Sequence, residues 1–149
     1  MSRTRIAVGV CVATIATASL AGVSNAASTK FTAAMSGAQE VPTKGDAKTT
    51  GKATITVTGK KLCYTIVVKN LSGVPQAGHI HSGVKGKAGP VFVTLFAKPK
   101  APKKGKLSGC VSATASQIKA ISAKPSAYYV NVHTEEYPNG ALRGQLKKS

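Results

Sequence analysis

The run Thr49-Thr50-Gly51-Lys52-Ala53-Thr54-Ile55-Thr56-Val57-Thr58-Gly59-Lys60-Lys61-Leu62-Cys63-Tyr64-Thr65-Ile66-Val67-Val68-Lys69 alternates twice around one turn. In Thr49 to Thr58, Ala53, Ile55 and Val57 share one face, and Thr54, Thr56 and Thr58 share the other. In Leu62 to Lys69, Leu62, Tyr64, Ile66 and Val68 share a face. A period of two is the signature of a strand with one side buried. Gly59-Lys60 supplies a Gly-led two-residue connection, so the stretch reads as a β-hairpin.

The same pattern extends outward. Phe31 to Met35 reads as a strand before the hairpin. Gly78 to His81, Val91 to Phe96, Tyr128 to Thr134 and Ala141 to Leu146 read as strands after it, with a further element beginning at Cys110 to Ala113. Ser82 to Pro90 is a Gly-rich loop, and Lys98 to Gly109 a mobile Lys-, Pro- and Gly-rich connection. Thr114 to Ala123 is the one helix candidate. Thr114 and Gln117 have capping-box spacing, Ile118 and Ile121 face inward, and Pro125 stops the helix. Many short strands with turns between them predict an all-β fold, an antiparallel β-sandwich or Greek-key barrel with one short helix.

Residues 1–26 have the layout of a signal peptide. Arg3 and Arg5 precede an uncharged run from Ile6 to Ala21, and Ser24-Asn25-Ala26 offers small residues at a cleavage point. The alternative is an uncleaved N-terminal anchor. Cleavage leaves residues 27–149 as one domain of 123 residues, with no later stretch able to span a bilayer. The expected location is secreted, periplasmic or extracellular. Cys11 lies within the leader, which leaves Cys63 and Cys110 as either a disulfide or two buried thiols; an exported chain favours the disulfide.

The chain has 21 Lys+Arg against 4 Asp+Glu. Without Arg3 and Arg5 the net charge is +15. Such a field attracts anions, and outside a cell these include acidic polysaccharide and other cell-surface polymers. Beyond the leader Arg143 is the only Arg, and Trp is absent. Specific nucleic-acid recognition leans on Arg forks and stacking aromatics, so no specific nucleic acid is expected.

Three histidines carry the chemistry. His79 and His81 are two apart in Gly78-His79-Ile80-His81-Ser82-Gly83 and share a strand face, with Ile80 opposite. His133 stands on another strand. Three imidazoles form a workable site for Cu or Zn; alternatively they hydrogen-bond loop backbone. Lys85 and Lys87 flank Gly86, where loop N–H groups offer an anion cradle, or else a plain turn-rich connection. Arg143 is a candidate member of that anion site, or a structural fork to Glu135, Glu136 or a backbone carbonyl. No catalytic residue is identified: there is no Gly-x-Ser-x-Gly elbow, and the four acids leave few members for a triad or carboxylate pair.

The pieces Phe31-Thr32-Ala33-Ala34, Gly37-Ala38-Gln39-Glu40-Val41-Pro42, Leu62-Cys63-Tyr64, Gly78-His79-Ile80-His81-Ser82-Gly83, Gly89-Pro90-Val91, Tyr129-Val130-Asn131-Val132-His133-Thr134 and Pro138-Asn139-Gly140-Ala141-Leu142-Arg143-Gly144-Gln145-Leu146 run in order along the chain. Together they resemble the chordin (CHRD) domain family. The resemblance implies an exported β-sandwich-like module with no established enzyme activity. Lys98 to Lys106 is a loop particular to this chain. A fainter likeness is to copper-zinc superoxide dismutases, which also pair a His-x-His strand with a later His, a late Arg and a disulfide. A bridging fourth His and the acidic zinc ligand have no counterpart here. That likeness therefore implies a mononuclear copper site, with redox activity an option, rather than a two-metal dismutase. The sequence thus supports two functions: a non-enzymatic module for anionic extracellular partners, or a three-His copper or zinc protein.

Overall fold

The structure is a computed structural model that describes residues 27–149. The expected leader lies outside the described residues. Strands β1 (Ser28–Ser36), β2 (Thr50–Thr58), β3 (Lys61–Lys69), β4 (Pro75–Ser82), β5 (Val91–Phe96) and β6 (Lys106–Ser112) precede helix α1 (Ala115–Ala123). Strands β7 (Tyr128–Thr134), β8 (Leu142–Gln145) and β9 (Lys147–Lys148) follow it. All strand pairings among the described residues are antiparallel. The hydrogen-bonded order is β5-β4-β7-β8-β1-β2-β3-β6, with β9 added on β1. This path curls into a nearly closed barrel with one short helix, as the strand pattern predicts.

The deciding hairpin forms as read. Thr58 pairs with Lys61 across the two-residue turn, and Gly59 has φ 57°, the conformation such a turn needs at its first central position. Ala53, Ile55 and Val57 from β2 and Leu62, Tyr64, Ile66 and Val68 from β3 are all buried. They join Phe31, Ile80, Leu107, Val130, Val132, Leu142 and Leu146 in one core. Burying an aliphatic side chain contributes about 1.5–3 kcal/mol, so these alternating positions drive closure.

The capping box is present. Gln117 N donates to Thr114 Oγ1 at 3.2 Å, and Thr114 N donates to Gln117 Oε1 at 2.8 Å. Ile121 is fully buried, and Ile118 packs partly against the core. Gln117 Nε2 also donates to Phe92 O at 2.6 Å, tying α1 to β5.

Three expectations need correction. β1 is longer than Phe31 to Met35, because it pairs with β2 along its whole length. β6 starts at Lys106 rather than Cys110, since Lys106 to Gly109 pair with β3. The connection before it is pinned rather than loose. Lys103 pairs with Lys106 around Lys104 (φ 51°) and Gly105 (φ 70°), a two-residue turn with both central residues left-handed. Lys100 Nζ donates to Tyr64 Oη at 2.9 Å and Ser108 O at 2.6 Å, and its N–H donates to Pro75 O.

Cys63 and Cys110 face each other across β3 and β6 and form a disulfide, with a sequence separation of 47. The bond fastens β6, one end of the sheet path, to its neighbour. For a loop of this size the chain-entropy model assigns about 4 kcal/mol. Reduction, or Cys63→Ala with Cys110→Ala, is therefore expected to lower unfolding stability by about 3–4 kcal/mol in a denaturant titration, with little change in far-ultraviolet circular dichroism before the transition.

Candidate functional site

The paired strands β4 and β7 build the site. His79 lies opposite Asn131, His81 opposite Tyr129, and Ala77 opposite His133. Alternation then puts His79, His81, Tyr129, Asn131 and His133 on one face of the pair. Ile80, Val130 and Val132 enter the core. The three imidazoles converge. Ring centroids are 5.1 Å apart for His79–His133, 5.4 Å for His79–His81 and 6.3 Å for His81–His133. One ring nitrogen from each lies within 4.8 Å of the other two. Four-coordinate ligation at about 2.0–2.1 Å places nitrogens about 3.3 Å apart, so sharing one ion would require the rings to close by up to about 1.5 Å.

Backbone carbonyls set two of the tautomers. His81 Nδ1–H donates to Gly89 O at 2.8 Å, and His133 Nδ1–H donates to Pro138 O at 2.9 Å. A carbonyl can only accept, so each Nδ1 carries the proton, and a neutral ring keeps its lone pair on Nε2. His133 Nε2 and His79 Nδ1 are buried with no hydrogen-bond partner. His81 Nε2 sits 3.1 Å from the amide of Asn131. The Asn131 Oδ1 is the atom beside His81 Nε2, and Asn131 Nδ2 donates to Glu40 Oε1 at 3.4 Å, so the amide bridges His81 and Glu40.

Burial, then the neighbouring His133 and His81, push the His79 imidazole down to about 4. Burial also pushes His133 down. Both rings are therefore neutral near pH 7. Burial raises the Glu40 carboxyl to about 7, against the pull of Arg143 and of the Asn131 side chain. Glu40 is only 2 % exposed, and its carboxyl packs where a Cβ on Gly140 would fall, 2.6 Å from Glu40 Cδ. Asp46 anchors the loop that delivers Glu40. Burial opposes its ionisation, but hydrogen bonds from Thr49 Oγ1, Ser72 N and Lys48 N outweigh that and hold the carboxyl down at about 2.

Two clefts meet the histidines. His79 and His133 border one of about 320 Å³ with Gln76 and Glu135. His81, His133, Glu40, Asn131 and Tyr129 border another of about 330 Å³. The Tyr129 ring stacks on His81 (4.9 Å, 6°), and the Arg143 guanidinium lies 3.5 Å from the Tyr129 ring centre. A column Arg143–Tyr129–His81 results.

The three histidines are thus brought together, whereas the expected anion group is split. Lys85 and Arg143 line a separate cavity with Lys44. Lys87 contributes its backbone oxygen, which accepts from Arg143 Nη2 at 3.1 Å. Arg143 does not meet Glu135 or Glu136, which are exposed; the acid that acts on it is Glu40. Sequence reasoning missed Glu40, Asn131 and Tyr129. The last two share the strand face of His133 and follow from the same alternation, whereas Glu40 arrives on a loop with no periodic signal.

Residues 31–146 match the family model described as the CHRD domain. No curated protein matches the chain.

The raised Glu40 carboxyl gives a signed expectation. The folded state holds this proton more tightly than the unfolded state, so Glu40 stabilises the fold below about pH 4.5 and that contribution is lost as pH rises towards 7. His79 and His133 act oppositely, since their lowered values make stability rise with pH up to about 6.5. Glu40→Gln isolates the first effect. Measured by denaturant titration, the variant should gain roughly 2 kcal/mol on wild type between pH 4.5 and pH 8. A constant difference across that range would contradict the buried-carboxyl assignment.

Proposed function

The chain belongs to the CHRD domain family, and from that premise and the imidazole geometry we propose that it is a binding module whose ligand is one Cu(II) or Zn(II) ion held by His79, His81 and His133. The observation that carries this reading is the second layer of hydrogen bonds. Ligating histidines almost always donate the other ring N–H to a carbonyl or carboxylate, which fixes ring orientation. Gly89 O and Pro138 O play that part for His81 and His133. Two buried ring nitrogens without partners are costly unless something accepts their lone pairs. Imidazole donors suit copper and zinc. Three protein ligands leave a position open, facing the clefts at His79, His81 and His133.

Calorimetric titration with Zn(II) and Cu(II) should give one ion per chain. His79→Ala or His133→Ala should weaken binding by about 100-fold or more, since each removes a ligand. Equal affinity in wild type and His79→Ala would discard the site.

A second reading, attachment to anionic extracellular material, is supported by the placement of the charges. Lys100 apart, every lysine of the described residues is exposed, whereas Glu40 and Asp46 are buried. Elution from an acidic polysaccharide column should then move strongly with salt. The disulfide suits the oxidising compartment that export provides.

A further inference from the structure

Arg143 in β8 is a buried cation with unspent donors. It is 2 % exposed, its Nη2 donates to Lys87 O, its plane lies on Tyr129, and its Nη1 is buried without a partner. A buried charge demands compensation. The acid acting on it, Glu40, is itself held largely protonated towards neutral pH by burial, so it compensates only in part.

Beside Arg143 lies a cavity of about 200 Å³. Its polar lining comes from Arg143, Lys44, Lys85, Gln39 and Gln145, so three cations and no acid face it. Local structure places each cation. Lys87 N donates to Val84 O at 3.0 Å and closes a turn whose third residue, Gly86, has φ 78°; this sets Lys85 at the corner. Lys44 Nζ donates to Ala38 O at 2.9 Å, which holds it at the rim. A planar fork and two ammonium groups from three separate elements match an anion with several oxygens and more than one charge.

We propose that this cavity binds one tetrahedral oxyanion of the phosphate or sulfate class, free or carried on a polymer, between Arg143, Lys44 and Lys85. The site does not depend on the metal reading. It takes no ligand atom from the histidines, and Tyr129 separates Arg143 from His81.

Lys85 and Lys87 offer an internal control. They sit two residues apart in one exposed loop, so removing either changes the long-range field alike, yet only Lys85 lines the cavity. Inorganic phosphate and sulfate are titrated at low ionic strength, followed by amide and Arg Nε–H shifts in NMR. The expected result is one saturable site centred on Lys44, Lys85, Gly86 and Arg143. Lys85→Gln should weaken it about tenfold or more, and Lys87→Gln less than about twofold. Equal losses in the two variants, or shifts spread over the lysine surface, would overturn the proposal. Short-chain polyphosphate forms a second arm. Displacement of it by inorganic phosphate from the same amides supports a polymer-borne group. Polyphosphate binding while free phosphate leaves those amides unmoved would refute the cavity in favour of diffuse attraction. Both substitutions are at exposed positions. Zn(II) titration of the same samples reads the histidine site separately, so failure of either proposal is distinguishable from failure of the other.

Discussion

The register between β4 and β7 is the constraint on which the rest depends. Ile80 pairs with Val130, so His79, His81, Tyr129, Asn131 and His133 have no choice of face. A slip of one residue would turn every side chain over. It would send imidazoles and an amide into a hydrocarbon core and expose Ile80, Val130 and Val132. Desolvating those polar groups without partners would cost several kcal/mol, on top of the lost apolar burial. The hydrophobic core therefore selects the geometry of the imidazole cluster, and no interaction among the histidines themselves is needed to assemble it.

What surrounds the cluster is less forgiving. Glu40 and Arg143 are both buried and feel each other, yet Arg143 spends its hydrogen bond on Lys87 O and its face on Tyr129. A tight ion pair would have neutralised both. Keeping them apart leaves a carboxyl that holds its proton near neutrality and a guanidinium with an unspent donor. The loop bearing Glu40 tolerates this because Asp46, with five hydrogen bonds through backbone and side chain, holds it to β8's approach and to the residues after β3. Gly37 and Gly140 matter for the same reason: a Cβ on the first would strike the Asp46 backbone, and on the second the Glu40 carboxyl.

Legibility in the sequence followed locality. The β2–β3 hairpin, the Thr114 capping box, β7 and the shared face of His79 and His81 all rest on spacings of one to four residues, and all four were readable; that His133 joins that face is set by the pairing of β7 with β4. β6 was misjudged because Lys106 to Gly109 has the composition of a loop; its strand state comes from pairing with β3, about forty residues earlier. The partner of Arg143 was misjudged likewise. Glu135 and Glu136 are near in sequence, while Glu40 and the Lys87 carbonyl are near only after the barrel closes. Lys44 in place of Lys87 beside the cavity is the same lesson, since a turn set by Gly86 decides which loop lysine faces it.

The charge pattern also bears on which cations the imidazoles would accept. Two of the four acids are buried; Glu40, the buried one beside the cluster, holds its proton up to about pH 7, and Glu135 stands exposed at the rim of the cleft that His79 and His133 border. Calcium and magnesium require several anionic or carbonyl oxygens, and the cluster offers neutral nitrogen. The exposed lysines give the surface a positive field that repels a divalent ion until short-range bonding takes over. On the proposed metal reading, an ion that forms strong bonds to imidazole would overcome that repulsion without a carboxylate, and this favours copper or zinc over the hard cations.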